Sequence, residues 1–553
     1  MELVTIFIDD VEVKVPKGTN LIEAAKLVGV EVPHYCYHPN LSIAGNCRMC
    51  QVQVEGQPKL TIGCNTGAAE GMKVRTHRSS EAVAEAQRAT LEFILLNHPL
   101  DCTVCDQAGH CKLQDYYYDY NAQPARSLED KVHKVKAEPL GPHVMYDGER
   151  CIVCTRCTRF CDEIPETSEL GVFNRGDHAV IGAYPGKELD NPFSGTVVDL
   201  CPVGALTHKD WRFNTRVWYT DAVESICTGC STGCNVKVHT RDDQVVQVKG
   251  RLNQEVNKEW LCDEGRYGFN RFQPTERLTD PMERGQDGFE KRDWKQLEPT
   301  LKKLSAAGDA AVFLSPFLTL EELTVAVQFS EKVLGLKVDS DSIAVRIVRR
   351  ELSKVEEKLI SPDRAPNARA SELLGLVTGD WRAESERKYT ALVNKVRAGT
   401  VKRIISIGDF AISDSDLDES LVRGLLSATV SVALTPRAPI EITGSKATGA
   451  FNNRAHLHHS VILPGITVNE KGGVFINRDG RLQRLQTLLQ SPFGAYPEWQ
   501  LLDRVGKVCG KQILPVGVGD ERALFTWMAQ QVSQLKGTTL KDLAASGVLL
   551  PGL

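Results

Sequence analysis

Apolar and polar residues alternate from the first residues of the chain. "LVTIFIDDVEVKVPKG" keeps a period of two on both sides of Asp9–Asp10, which predicts a β-hairpin. The stretch Leu21 to Val28 predicts a short helix. "NVKVHTRDDQVVQVKGR" repeats the two-residue alternation around Asp242–Asp243 and predicts a second hairpin. From about Pro274 the texture changes. "AAVFLS" (Ala310 to Ser315), "KRIISIGDF" (Lys402 to Phe410) and "SVALTP" (Ser431 to Pro436) are short continuous apolar runs of buried-strand type. Helical stretches such as "TLEELTVAVQFSEKVL" (Thr319 to Leu334) separate them, so the back half predicts an α/β domain with a mostly parallel sheet. "VRIVRRELSKVEEKL" (Val345 to Leu359) reads as a solvated helix face. "NEKGGVFINRDGR" (Asn469 to Arg481) is explained better by two turns than by a phosphate cradle. "YYYDY" (Tyr116 to Tyr120) reads as a packing element.

A length of 553 residues exceeds what one core can serve and predicts roughly three to five domains. The balance of 66 basic and 71 acidic residues gives no argument for nucleic acid or for an anionic membrane surface. The acidic pair near the start predicts that no secretory signal is present. No apolar run approaches the ~18 residues of a membrane helix, so membrane association is expected only by docking onto a complex. No GxGxxG follows a strand and no P-loop motif occurs, so no nucleotide site is predicted.

Seventeen cysteines change the picture, because sixteen of them lie before residue 263 and only Cys509 lies after it. Disulfides are not expected without an oxidising compartment. The front half is therefore metal-rich and the back half ordinary. Cys509 reads as ordinary packing beside a helix.

The front cysteines fall into four groups. Cys36, Cys47, Cys50 and Cys64 form C-x10-C-x2-C-x13-C. A loop, a C-x2-C clip and a returning strand are the parts of a plant-type [2Fe–2S] site, with a zinc knuckle as the rival. Gly45 beside the clip lets the backbone approach inorganic sulfide. "NHPLDCTVCDQAGHC" supplies Cys102, Cys105 and Cys111 and lacks a fourth thiol. His98, His110, Asp101, Asp106 or a residue outside the segment are candidates for the fourth ligand. The pattern favours His98, because Pro99 fixes the turn after it and imidazole can replace thiolate on a cluster. Cys151, Cys154 and Cys157 form C-x2-C-x2-C, which suits one corner of a [4Fe–4S] cube and suits tetrahedral zinc poorly. The cysteine–proline that closes such a run is Cys201–Pro202, while Cys161 precedes Asp162. The simplest reading is a two-cluster ferredoxin module that has lost one cluster, with Cys161 left as a packing residue. Cys227, Cys230, Cys234 and Cys262 form C-x2-C-x3-C-x27-C around the second hairpin and suit a further [4Fe–4S] or a zinc ribbon.

The order of these groups resembles the large iron–sulfur subunit family of respiratory complex I, known in bacteria as the G subunit. The stretches that carry the resemblance are "NCRMCQVQVEG", "NHPLDCTVCDQAGHCKLQDY", "GERCIVCTRCTRFCDEI", "LCPVGAL" and "CTGCSTGCN…WLCDEGRYGF". More loosely, "ERLTDPM", "PNARASELLGL" and "VILPGITVNEKGGVFINRDGRLQ" resemble the molybdopterin-oxidoreductase fold. The resemblance implies a multidomain α+β and α/β protein. Residues 1–78 would be a β-grasp [2Fe–2S] ferredoxin-like domain, 79–118 a one-histidine, three-cysteine [4Fe–4S] segment and 119–219 a [4Fe–4S] ferredoxin-like domain. Residues 220–276 would be a [4Fe–4S] domain of the molybdenum/tungsten bis-pterin type, and 277–553 a shortened molybdopterin-oxidoreductase-like domain without pterin.

The same resemblance implies ligand sets of Cys36, Cys47, Cys50, Cys64 for [2Fe–2S], and of His98, Cys102, Cys105, Cys111 for [4Fe–4S]. It also implies Cys151, Cys154, Cys157, Cys201 and Cys227, Cys230, Cys234, Cys262 for two more [4Fe–4S] clusters, and no molybdenum. Electrons would come from the FMN- and NADH-binding subunit and leave through quinone-side iron–sulfur subunits, with a small [2Fe–2S] subunit as a further partner. The site of action would be the cytoplasmic face of the bacterial inner membrane. Ala108 and His110 stand where members usually carry glycine and glutamate, which keeps His110 as an alternative ligand. The alternatives to this function are a diaphorase-type subunit of a soluble NAD-linked hydrogenase and a molybdenum or tungsten formate dehydrogenase-like enzyme. The residues after Cys262 leave little room to enclose a bis-pterin, and [FeFe]-hydrogenase is excluded because only Cys509 lies downstream.

Overall fold

The first alternating stretch folds as β1 (Leu3–Ile8) and β2 (Val11–Pro16), paired antiparallel with Ile8 opposite Val11. Asp9 and Asp10 form its turn at φ 47° and 67°, the left-handed pair that a tight hairpin requires. The computed structural model describes all residues except 1, 122, 123, 125, 270–275, 413, 440–453, 544, 545, 551 and 552. Pro274, where the sequence texture changes, lies outside the described residues. The chain divides into two units, Met1–Thr220 and Asp221–Leu553.

In the first unit α1 (Leu21–Leu27) is capped by Asn20, whose side chain accepts from Glu23 N at 3.0 Å. Strands β3 (Gln51–Val54), β4 (Thr61–Ile62) and β5 (Lys73–Arg75) complete a five-stranded sheet in the order β2-β1-β5-β3-β4. Ile6, Ile8, Val52 and Val74 pack with Leu21 and Ile22 of the helix, and Cys50 and Cys64 belong to the same core. The first cysteine group is thus held by a packed domain rather than by a free loop. Helix α2 (Glu81–Leu95) follows, tied to β3 by Gln87 Nε2, which donates to Gln51 O at 2.9 Å. Next comes the short α3 (Lys112–Tyr116). Tyr116 is buried, donates to Glu31 at 2.9 Å and meets the Tyr35 ring edge-on, whereas Tyr118 is exposed. Only part of the aromatic run therefore packs.

The rest of this unit contains β6 (Glu138–Pro139), β7 (Val144–Tyr146), α4 (Arg156–Glu163), the hairpin β8 (Leu170–Phe173) and β9 (Val180–Ala183), α5 (Thr196–Leu200) and β10 (Leu206–His208). Strand β7 lies between β10 and β6. The loop before α4 and the end of α5 bring Cys151–Cys157 and Cys201 to one place.

The second unit opens with the meander β11 (Asp221–Ile226), β12 (Asn235–Arg241) and β13 (Gln244–Gly250), followed by α6 (Asp263–Tyr267). Asp242 and Asp243 make the predicted turn at φ 50° and 56°. Then come β14 (Met282–Arg284), β15 (Phe289–Lys291), α7 (Trp294–Leu301), β16 (Ala310–Leu314), α8 (Leu320–Lys332), β17 (Ile343–Val345), α9 (Ala370–Leu373) and α10 (Trp381–Arg397). They are followed by β18 (Arg403–Ile407), α11 (Glu419–Leu426), β19 (Val430–Thr435) and β20 (Val461–Pro464). These strands form one sheet, ordered β15-β14-β20-β19-β18-β16-β17, parallel from β20 to β17 and antiparallel at β14 and β15.

The strands alternate between two cores. Val312, Leu314, Ile405 and Ile407 join the α8 and α12 side, while Ala311, Phe313 and Ile404 join the α10 and α11 side, where α12 denotes Glu498–Val508. Helices on both faces explain why these runs are continuously apolar. A last small sheet holds β21 (Gly473–Ile476), β22 (Arg481–Leu485) and β23 (Val548–Leu549), with α13 (Glu521–Gln531) between the last two in sequence.

One expectation is overturned. Val345 to Leu359 is not a helix: Val345 ends β17 and only Glu356–Lys358 makes a short 3-10 turn. Its arginines pair across the fold instead of along a helix face, Arg346 with Asp416 at 3.1 Å and Arg349 with Asp363 at 3.5 Å. "NEKGGVFINRDGR" contains the expected turn at Asn477–Gly480, but Gly473–Ile476 is a strand of the hairpin it closes.

Helix α8 also carries a buried acid. Burial pushes Glu321 up to about 8, and its carboxylate accepts from Val474 N at 3.0 Å. The native chain keeps a proton that the unfolded chain, with an ordinary value of 4.5, releases. That contribution is complete below 4.5 and is lost as pH rises through about 8. Thermal melts of parent and Glu321→Gln should therefore move apart between these values, with the glutamine variant gaining relative stability as pH rises.

Candidate metal centres

The loop after α1 carries Cys36, and β3 begins just after the Cys47–Cys50 clip. Cys64 returns in a turn after β4, held by Gly63 N donating to Cys50 O at 2.7 Å. Gly45 has φ 64°, as a tight loop over a cluster requires. The Cys36 amide points at Cys47 Sγ at 3.5 Å. Within the group the thiols pair: the hydrogen bond from Cys47 draws Cys36 down to about 5, and that from Cys50 lowers Cys64. The structure thus brings all four together.

In the second segment Cys102 begins a 3-10 turn and is exposed, while Cys105 and Cys111 are buried and Cys111 starts α3. The three thiols act on one another electrostatically. The loop after Cys201 presses on Cys105 so closely that a Cβ on Gly204 would sit 2.1 Å from its Sγ. Arg216 donates to Thr103 O at 2.6 Å and to Cys105 O, and Arg150 pairs with Asp101 at 2.9 Å. Asp106 Oδ1 accepts from Phe213 N at 2.9 Å. The charges acting on His98 are those of Arg150, Lys131, Asp101 and Lys136, not those of the thiols. Burial, with Arg150 next in effect, holds His98 down to about 4, so the ring is neutral, and its buried Nδ1 has no partner among the described residues. His110 is engaged at Nε2 with Gln107 Oε1 at 3.1 Å.

The third group lines one buried cavity. Cys151, Cys154, Cys157 and Cys201 surround it together with Tyr146, Ile181, Val203 and Leu206. Val153 and Thr155 take φ 50° and 63°, unusual for β-branched residues, so the loop is wound tightly around this space. Burial raises the Cys154 and Cys157 thiols, most strongly at Cys157. Cys161 lies one turn further along α4, fully buried outside that lining.

The fourth group sits at the open end of the meander. Cys227 N donates to Cys234 O at 2.7 Å, and a Cβ on Gly265 would lie 3.0 Å from Cys227 Sγ and 3.4 Å from Cys262 Sγ. Burial raises Cys234 and Cys262, and the neighbouring thiols of the group push both further up. Cys509 is apart from all of these, its Sγ 3.4 Å from Leu301 O.

Among the described residues, no group of three or more His, Cys, Asp or Glu closes around one point as a single ion needs. Cluster ligands are spaced more widely, since they bind different irons. Buried thiols of raised pKa stay protonated by themselves, and metal coordination deprotonates them outright. Two orphaned polar atoms also fit a bound group: His98 Nδ1, and the fully buried Tyr35 hydroxyl, which has no partner and lies within reach of the Cys111 and Cys47 charges. Arg156 and Arg159 were not singled out by the sequence, although "CTRCTRFC" places them three apart on one helix face among the ligands.

Fold and sites define an iron–sulfur protein with both 2Fe–2S and 4Fe–4S binding domains. Residues 1–79 match the 2Fe-2S iron-sulfur cluster binding domain family, and 87–126 match the NADH-ubiquinone oxidoreductase-G iron-sulfur binding region. Residues 141–207 match the ferredoxin-like domain of NADH-quinone oxidoreductase subunit 3, and 220–273 match the molybdopterin oxidoreductase Fe4S4 domain. The NADH-ubiquinone oxidoreductase 75 kDa subunit of Reclinomonas americana is 27% identical over 92% of this chain and 89% of its own length. The NADH-quinone oxidoreductase G subunit of Rickettsia felis is 31% identical over 77% of this chain and 64% of its own length. The chain belongs to this family of NADH-quinone oxidoreductase iron–sulfur subunits, the G subunit in bacteria. It spans only 39% of the mitochondrial iron-sulfur protein 1 of Solanum tuberosum, at 41% identity, and 40% of the Streptomyces coelicolor G subunit. A crystal structure of an NAD+-reducing [NiFe]-hydrogenase aligns over 39% of this chain and 91% of its own at 26% identity, with a TM-score of 0.35, too low to carry an argument.

Proposed function

We propose that the chain conducts single electrons within the peripheral arm of an NADH-quinone oxidoreductase, from an FMN- and NADH-binding subunit toward quinone. The observation that carries this reading is the packing of three thiol-rich loops against one another in the first unit. Asn46 Nδ2 of the first group donates to Val153 O of the third at 3.1 Å, and Gly204 meets Cys105. Such contacts give electron carriers short separations.

In this reading Cys36, Cys47, Cys50 and Cys64 hold a [2Fe–2S] cluster, and His98 with Cys102, Cys105 and Cys111 a [4Fe–4S] cluster. Cys151, Cys154, Cys157 and Cys201, and likewise Cys227, Cys230, Cys234 and Cys262, hold the other two. Bound clusters supply one-electron redox chemistry, and the protein fixes their position and tunes them. No helix among the described residues is long and apolar enough to cross a membrane. Attachment at the cytoplasmic face would come through partner subunits, including a small [2Fe–2S] subunit and the quinone-side iron–sulfur subunits. The back sheet reverses direction between β16 and β18, where such folds place ligands. Phe317, Phe410, Lys471 and Glu498 fill that point and leave about 10 Å³, room for no more than a water. This supports a docking scaffold rather than a pterin enzyme.

A potentiometric titration of the anaerobically reconstituted chain, followed by electron paramagnetic resonance, tests the reading. One [2Fe–2S] signal and several [4Fe–4S] signals are expected, and a chain silent on reduction would overturn it. In the same titration His98→Cys exchanges a neutral imidazole for an anionic thiolate, so its cluster should become harder to reduce, by about 0.1 V on the scale that separates histidine-ligated from all-cysteine clusters. An unchanged or raised potential would remove His98 from the ligand set.

A further inference from the structure

Helix α4 presents two arginines, Arg156 and Arg159, between the first and third cysteine groups. Arg156 is only 9% exposed. Its Nη2 donates to Tyr37 O and its Nη1 to Leu200 O at 3.3 Å, so it grips the chain beside Cys36 and beside Cys201 at once. Its Nε is buried without a hydrogen-bond partner, and no carboxylate among the described residues lies within ion-pair distance. The negative charges that act on it come from sulfur: Cys154, Cys201 and Cys36. Arg159 repeats the arrangement one turn on. Its Nη2 donates to Cys36 O at 2.6 Å and to Cys154 O at 3.4 Å, its Nη1 to Ser42 O, and its Nε to Thr155 Oγ1 at 3.3 Å.

A guanidinium cannot shed its proton, so burying one without a counter-ion is costly unless an anion is supplied. Here the anion is absent from the carboxylates and must come from the thiolate groups on either side. We infer that Arg156 and Arg159 are a shared counter-cation pair for the first and third clusters, which raises both reduction potentials with one set of fixed charges. The inference rests on the cluster assignment proposed above. Each cluster gains one electron on reduction, and the added negative charge is stabilised by the adjacent cations in a medium of low dielectric constant. Salt screens such a buried interaction weakly. Because the same charges serve both sites, an electron on one cluster partly offsets the field felt by the other. Both potentials are thereby held in one range, which suits exchange between them.

The test is the dithionite titration of the full reconstituted chain, read cluster by cluster by electron paramagnetic resonance. Arg156→Gln should make both clusters at least tenfold harder to reduce, a fall of about 59 mV for a one-electron couple. Arg156→Lys, which keeps the charge and loses the fork, should recover most of that fall in both. Potentials unchanged in Arg156→Gln with both signals present, or a shift confined to one cluster, would overturn the inference. Should Arg156→Gln fail to keep its irons, the less buried Arg159→Gln reads the same field: both potentials fall by a smaller step, and two unchanged potentials overturn the inference. A parent chain without clusters would instead overturn the assignment on which the inference stands.

Discussion

Cys157→Ala is expected to cost the chain its third cluster, about four irons, while Cys161→Ala keeps the full complement. The two thiols are one turn apart on α4 and both hidden from solvent, so burial alone does not separate them. Cys157 faces the cavity shared with Cys151, Cys154 and Cys201. Cys161 is absent from that lining, its carbonyl accepts from Thr167 N at 3.0 Å and Ser168 N at 3.3 Å, and the charges nearest its thiol are the acids Glu169 and Asp162. An anionic thiolate beside two carboxylates is disfavoured, which keeps Cys161 protonated and out of a cluster. Iron and acid-labile sulfide assays on both variants check this. Iron lost from Cys161→Ala and kept by Cys157→Ala would reverse the ligand assignment.

Lys471→Met is expected to destabilise the second unit by about 3–5 kcal/mol, the usual cost of stranding a buried charge. The Lys471 ammonium is 4% exposed and lies 2.7 Å from Glu498 and 3.0 Å from Glu322. Burial opposes its charge, but the two carboxylates outweigh that and raise its pKa. Glu322 also closes the capping box of α8, accepting from Thr319 N at 3.0 Å, so its negative charge is held in place after the lysine is removed. Glu498, at the start of α12, is pushed well up by burial and is already neutral. Glu498→Gln should therefore cost about 1 kcal/mol or less, the net worth of one hydrogen bond. Thermal melts of the full chain, comparing the upper and lower transitions, separate the two outcomes. Equal effects of both substitutions would show that the charge is not concentrated on Lys471 and Glu322.

Features set by local covalent pattern were legible in the sequence. The turns at Asp9–Asp10 and Asp242–Asp243 follow from alternation interrupted by residues that tolerate positive φ. Strands β16, β18 and β19 follow from apolar runs that only a doubly covered sheet can use. The cysteine spacings named all four groups, because ligands a few residues apart must share one loop. Features set by long-range pairing were not legible. The charged run Val345 to Leu359 has helical composition, yet its arginines find acids as distant as Asp416, and those partners hold the chain out of a helix. Lys471 lay inside a Gly-rich stretch that reads as turns, and nothing local shows that Glu322 and Glu498 will enclose it. The fourth ligand of the second segment stayed open for the same reason. His98 is four residues from Cys102, but its neutral ring and orphaned Nδ1 became visible only when Arg150, from a different loop, was placed beside it.

The central claim is that the front half holds four iron–sulfur clusters and the back half holds none of the chemistry. Its most direct test is the metal content of the natively and anaerobically purified chain, measured by mass spectrometry for iron, zinc, molybdenum and tungsten together. The expected result is about 14 irons per chain, from one [2Fe–2S] and three [4Fe–4S] clusters, with the other three metals at trace level. Stoichiometric molybdenum or tungsten, or zinc in place of iron at the cysteine groups, would contradict it.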